Sequence, residues 1–248
     1  IRPGLIEAHY NLGNALKALG QKSRALDCYR QVIQLGSHLP EALLFVGNGF
    51  KELDSLEEAV TCYRQAVALN PGFAAAWGAL GNALKEQKSW VAAREACLAA
   101  LRLQPDEVDV LFTLGLIAIE TRKLDEAEAH LRRGLALRPN APEALCNLGL
   151  VLLEQNRVDE AIHSLEQALE LKPDYPEALS NLGTAFQEQG RYEEALDLYA
   201  RALALKPEMP EIRSNMGHAL QELGRLDEAV ERLQQALALR PDDPGGLN

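Results

Sequence analysis

An all-α solenoid of seven stacked helical hairpins is the fold class this sequence predicts, and three columns of residues predict it. Prolines recur every thirty-four residues at Pro71, Pro105, Pro139, Pro173, Pro207 and Pro241. Under the same period fall Gly13, Gly47, Gly81, Gly115, Gly149, Gly183 and Gly217, and then Ala25, Ala59, Ala93, Ala127, Ala161, Ala195 and Ala229. A fixed period of this size marks an array in which each unit buries its apolar face only against its neighbours. Nothing is inserted or deleted between lines, so the chain reads as a single array over 1–248, with repeats at 6–39, 40–73, 74–107, 108–141, 142–175, 176–209 and 210–243. Ile1-Arg2-Pro3 aligns with Leu239-Arg240-Pro241, so 1–5 reads as the tail of a preceding repeat and 244–248 as a truncated end.

Each repeat supplies two helices. The first repeat carries Leu12-Gly13 and then Ala25, Tyr29 and Val32, and its Gly36-Ser37-His38 lacks the proline seen elsewhere. The second opens with Pro40-Glu41-Ala42, which places proline where its missing N–H is harmless. The third has Trp77 in its first helix, and its second begins at Ser89-Trp90-Val91-Ala92 without acids; this start and the missing proline at Gly36-Ser37-His38 predict locally looser junctions. In the fourth, Asp125-Glu126 start the second helix and Arg138 follows it; in the fifth, Asp159-Glu160 and Lys172 do the same, after a Pro142-Glu143-Ala144 opening. Both charge signs suit the helix dipole. The sixth shows the spacing most clearly, with Ala178, Leu179, Leu182, Gly183 and Phe186, then Ala195, Tyr199, Ala202, Leu203 and Leu205. It opens at Pro176-Glu177, has Glu193-Glu194 at its second start and closes at Lys206; the seventh follows with Glu211, Asp227-Glu228 and Arg240. Glycine inside a helix costs about 1 kcal/mol relative to alanine, so a glycine in every first helix requires a return, and close helix approach is that return.

Leu12-Gly13, Ala25, Tyr29, Val32 and the thirty-four-residue proline resemble the tetratricopeptide repeat over nearly the whole chain. Trp77 fills that family's first aromatic slot, Tyr29, Tyr63 and Tyr199 the second, while Cys97, Leu131, Leu165 and Leu233 replace an aromatic. The resemblance implies a right-handed superhelix whose first helices line a concave groove. The string Asn11 to Lys17 is also similar to the repeat arm of O-linked N-acetylglucosamine transferases, where inner asparagines hold the substrate protein. Repeat domains that clamp a terminal carboxylate are a poorer match, because their lysine slot holds Tyr10, Leu44, Gly78, Phe112, Cys146, Ser180 and Ser214.

Composition narrows the function classes. The formal net charge of −11, with Lys and Arg scattered, argues against nucleic acid as partner. The apolar runs are too short to span a bilayer. Cys28 and Cys62 sit one repeat apart, where a helix spacing of roughly 8–10 Å exceeds the reach of a disulfide. With no metal-ligand spacing at Cys97 or Cys146, free thiols and a cytoplasmic location are expected. His9, His38, His130, His163 and His218 fall in different columns, and no nucleophile and base share a motif. No catalysis and no cofactor are expected within these residues.

The groove is therefore the working surface. On the predicted inner face of the first helices stand Asn14 with Lys17, Asn48 with Lys51 and Asn82 with Lys85, at i and i+3 on one face. A second asparagine column holds Asn11, Asn147, Asn181 and Asn215, followed by Leu150, Thr184 and His218 in the last three repeats. A primary amide both donates and accepts, so an asparagine ladder suits an extended peptide backbone, and the lysines favour acidic character. The competing reading is that these amides bond local backbone or water. Between the polar ends the face turns apolar at Phe112, Leu116, Ile119, Leu150 and Leu153, which reads as ligand contact or as cover for another domain or a second copy. Replacing Asn14, Asn48 and Asn82 by alanine is expected to weaken peptide binding and to leave stability nearly unchanged. The expected function is a non-catalytic scaffold that binds an extended or helical protein segment. The alternatives are a substrate arm of a larger glycosyltransferase-like enzyme, and a module that self-associates through uncovered ends.

Overall fold

The computed structural model describes residues 3–36 and 39–239, and among them all regular structure is helical, in fourteen helices. The chain divides into two compact units, Ile1–Lys123 and Leu124–Asn248. Unit one holds α1 (Pro3–Ala18), α2 (Lys22–Gly36), α3 (Pro40–Glu52), α4 (Leu56–Leu69), α5 (Ala74–Glu86), α6 (Trp90–Leu103) and α7 (Val108–Glu120). Unit two holds α8 (Leu124–Leu137), α9 (Pro142–Glu154), α10 (Val158–Leu171), α11 (Pro176–Glu188), α12 (Tyr192–Leu205), α13 (Pro210–Glu222) and α14 (Leu226–Leu239). Helix α1 starts at Pro3, inside the stretch read as a preceding tail; proline is well tolerated in a first helical turn. Ser37 and His38, where the missing proline was noted, lie outside the described residues.

Three local rules set the path of each repeat. The residue before each repeat-closing proline is extended, as at Asn70, Gln104, Lys172 and Lys206, because proline bars its neighbour from the helical region. Helices α3, α9, α11 and α13 restart with proline in the first turn and with no side-chain cap. Between the helices of a repeat one residue takes positive φ: Gly20, Asp54, Lys88, Arg122, Asn156, Gly190 and Gly224. That column is regular in conformation but not in residue type.

Within each hairpin the glycine column is a contact point. A Cβ at Gly47 would stand 2.5 Å from the Tyr63 ring, and one at Gly81 2.3 Å from Cys97 Sγ. No carbon holds such distances, so the glycine brings the first helix down onto the side chain facing it from the second. Tyr29, Tyr63 and Tyr199 are fully buried there, and in unit one Tyr29 meets Phe50 edge-on at 5.8 Å between centroids. Next-door hairpins stack through consecutive helices, and first helices also touch first helices: α1 with α3 and α3 with α5 in unit one, α9 with α11 and α11 with α13 in unit two. Within each unit the first helices thus form a closely spaced row, and the candidate groove residues sit on them.

Candidate peptide-binding groove

The asparagine column is half of a pair. In the first repeat Tyr29 Oη donates to Asn14 Oδ1 at 2.8 Å, and in the second Tyr63 Oη donates to Asn48 Oδ1 at 2.7 Å. In the sixth repeat the same two positions are Thr184 and Tyr199, whose hydroxyls lie 3.3 Å apart. Where the second-helix position is leucine the groove position changes with it, to Leu150 opposite Leu165 and His218 opposite Leu233. A buried tyrosine hydroxyl needs a partner, and each tyrosine has one. Burial drives the Tyr63 hydroxyl's pKa upward, which keeps it a donor.

The third repeat breaks the pairing. It keeps Asn82 but has Cys97 in place of tyrosine, and Asn82 Oδ1 is buried with no hydrogen-bond partner among the described residues. Cys97 is itself fully buried, and desolvation pushes its thiol up to about 12. The thiol is therefore neutral at pH 7.

The lysines follow a similar division. Lys17 forms an ion pair with Glu52, and Lys51 reaches Glu86 at 3.0 Å, each acid lying at the end of the next first helix. The hydrogen bond to Glu52 holds the Lys17 pKa above its ordinary value. Lys85 makes no such pair among the described residues, so it is the ladder lysine whose charge remains available to an acidic group.

In unit two the second asparagine column ties repeats together. Asn181 Nδ2 donates to Cys146 Sγ at 3.6 Å, and Asn215 Nδ2 to Thr184 Oγ1 at 3.4 Å. Asn147 is half-buried, while Asn11 in unit one and His218 in unit two are exposed. Phe112, Leu116 and Ile119 in unit one, and Leu150 and Leu153 in unit two, are each half-buried, so they present edges of packed layers rather than an open patch. Cys146, beside them in sequence, is buried, and desolvation pushes its thiol up to about 11. The helix-start acids are partly ion-paired: Lys172 reaches Glu143 at 3.0 Å and Lys206 reaches Glu177 at 3.1 Å. On the second helices of this unit and the turn before α10, Arg132 and Arg157 bracket Glu128 and Glu160 at 2.7–2.9 Å. Burial alone would raise the Glu128 pKa, but hydrogen bonds from Arg157 and Arg132 hold it below the ordinary value.

Two recesses accompany these rows. One of about 330 Å³ in unit one is lined by Asn48, Lys51, Gly78, Ala79, Asn82 and Glu107 among others. One of about 500 Å³ in unit two involves α8, α9 and α10, with Leu135, Pro139, His163 and Gln167 in its lining. Among the described residues no His, Cys, Asp and Glu group of three or more is placed to hold a metal ion, and no helix is long and apolar enough to cross a membrane.

Repeated helical hairpins with the glycine, alanine and proline columns in these roles define a tetratricopeptide-repeat protein. Residues 7–245 match the family described as cilia and flagella-associated protein 70 C-terminal domain, and the chain belongs to that family. Solved structures share the fold. The Cut9–Hcn1 hetero-tetramer of APC/C superposes with a TM-score of 0.74 at 20% identity over 94% of this chain and 46% of that one. PilF of Pseudomonas aeruginosa gives 0.71 at 21% identity over 82% and 93%. YrrB, a TPR protein with an unusual peptide-binding site, gives 0.62 at 23% identity over 72% and 92%. No curated protein matches the chain.

Proposed function

We propose that this chain is a protein-binding scaffold that holds an extended segment of a partner along its rows of first helices. The observation that carries the reading is the latch on Asn14 and Asn48. Each amide oxygen is held by a buried tyrosine hydroxyl, so the Nδ2 of the same planar group points away from the tyrosine with two donors to spare. Donors fixed one repeat apart suit the carbonyls of an extended backbone, and groups held before binding lose little entropy on binding. Lys85 adds one contact for an acidic residue. The likeness to YrrB, whose site takes a peptide, supports the reading at the level of fold.

The latch alters one expectation drawn from sequence. Alanine at Asn14 or Asn48 leaves a buried tyrosine hydroxyl unpaired, so stability falls by about 1–3 kcal/mol per site rather than staying level. The cleaner variant replaces both partners by apolar groups of similar shape: Asn14→Leu with Tyr29→Phe, and Asn48→Leu with Tyr63→Phe. Peptides selected on the full chain from a random dodecamer library should bind this variant at least tenfold more weakly, read by fluorescence polarisation, while its melting temperature stays near that of the parent. Unchanged affinity would remove the amide ladder from the account.

A further inference from the structure

We infer that the third repeat carries a subsite for a basic side chain, arginine or lysine, on the partner segment. The inference rests on the scaffold reading above and specifies the chemistry of one anchor. Its basis is the recess of about 330 Å³ beside α5. That volume lies at the small end of the roughly 300–1,000 Å³ range of ligand pockets, a size for one long side chain. The space has a cause in the sequence: where the first two repeats carry Tyr10-Asn11 and Leu44-Phe45, the third carries Gly78-Ala79.

The lining selects the occupant. Glu107 is half-buried at the recess and makes no ion pair among the described residues. Lys51 also lines the recess, but its charge is matched by Glu86 at 3.0 Å. The local balance is therefore negative. Asn82 supplies a further acceptor: its oxygen has no partner to lose, so a half-turn of the amide exchanges Oδ1 for Nδ2 without breaking a bond. Asn48, latched by Tyr63, has no such freedom. A guanidinium or ammonium carries donors only and would meet these acceptors, whereas an apolar or acidic side chain would cover the Glu107 carboxylate without a partner. Lys85 is not among the lining residues and does not oppose a cation there.

The test uses the same dodecamer library on the full chain. Selected peptides should be enriched in a basic residue at one position, and replacing it by citrulline or norleucine should weaken binding at least tenfold. Ala79→Phe, which places in the third repeat the residue type Phe45 supplies in the second, should fill the recess and cause a similar loss. Glu107→Gln, a change that leaves the helix packing alone, should weaken the arginine peptide about fivefold and the citrulline peptide hardly at all. Peptides with no basic preference and no response to Ala79→Phe or Glu107→Gln would overturn the subsite. If those peptides still weaken with the paired Asn→Leu and Tyr→Phe exchanges, the scaffold reading survives without it; if no peptide is selected, both fall.

Discussion

The second and third repeats share a backbone plan and differ at one contact. Both place an asparagine on the inner row and a glycine beneath it, but the second faces them with Tyr63 and the third with Cys97. The tyrosine reaches across the hairpin and binds the amide oxygen; in the third repeat that oxygen is left without a donor. One substitution on a second helix thus decides whether a groove amide is latched or adaptable. The difference teaches that the groove's hydrogen-bonding character is set from behind, by buried residues of the second helices.

The largest effect that separates the two repeats concerns the buried side chain itself. Tyr63→Ala should cost about 3–5 kcal/mol, the usual loss for a large buried aromatic, and Cys97→Ala much less, as measured by urea denaturation. Similar losses at the two positions would mean that Tyr63 is not the keystone of its hairpin. A smaller effect tests whether the turns share in the contrast. Asp54 and Lys88 both adopt positive φ at 58°, where the side chain is strained and glycine is not. Lys88→Gly should raise stability by up to about 1 kcal/mol, and Asp54→Gly by less, since aspartate tolerates that conformation better. Equal gains would show that the turns respond to backbone alone, and a loss at either would show that its side chain makes a stabilising contact.

The helical hairpins were legible because the period places the same glycine and alanine in each repeat and the same proline in all but the first, and the structure displays their roles: closeness at Gly47 and Gly81, full burial of Ala59 and Ala93, and an extended residue before Pro71 and Pro105. The groove asparagines were legible as a column. Their partners were not, although the letters place Asn14 and Tyr29, Asn48 and Tyr63, and Thr184 and Tyr199 at a constant offset of fifteen residues. Helical spacing relates residues within one helix and is silent across a hairpin. The Lys17–Glu52 and Lys51–Glu86 pairs escaped for the same reason, since they join one repeat to the next. The recess escaped because Gly78 and Ala79 carry no chemistry of their own; what matters there is the bulk that Leu44 and Phe45 supply one repeat earlier. Phe112, Leu116 and Ile119 read as exposed on a helical wheel, yet packing leaves each only partly open.

The central claim is that the groove amide is a structural partner in the second repeat and an uncommitted group in the third. Thermal unfolding of two single variants tests it most directly. Asn48→Leu strips Tyr63 of its acceptor and should lower stability by about 1–3 kcal/mol, whereas Asn82→Leu removes an unpaired buried oxygen and should raise it. Shifts in the same direction for both variants would contradict the account.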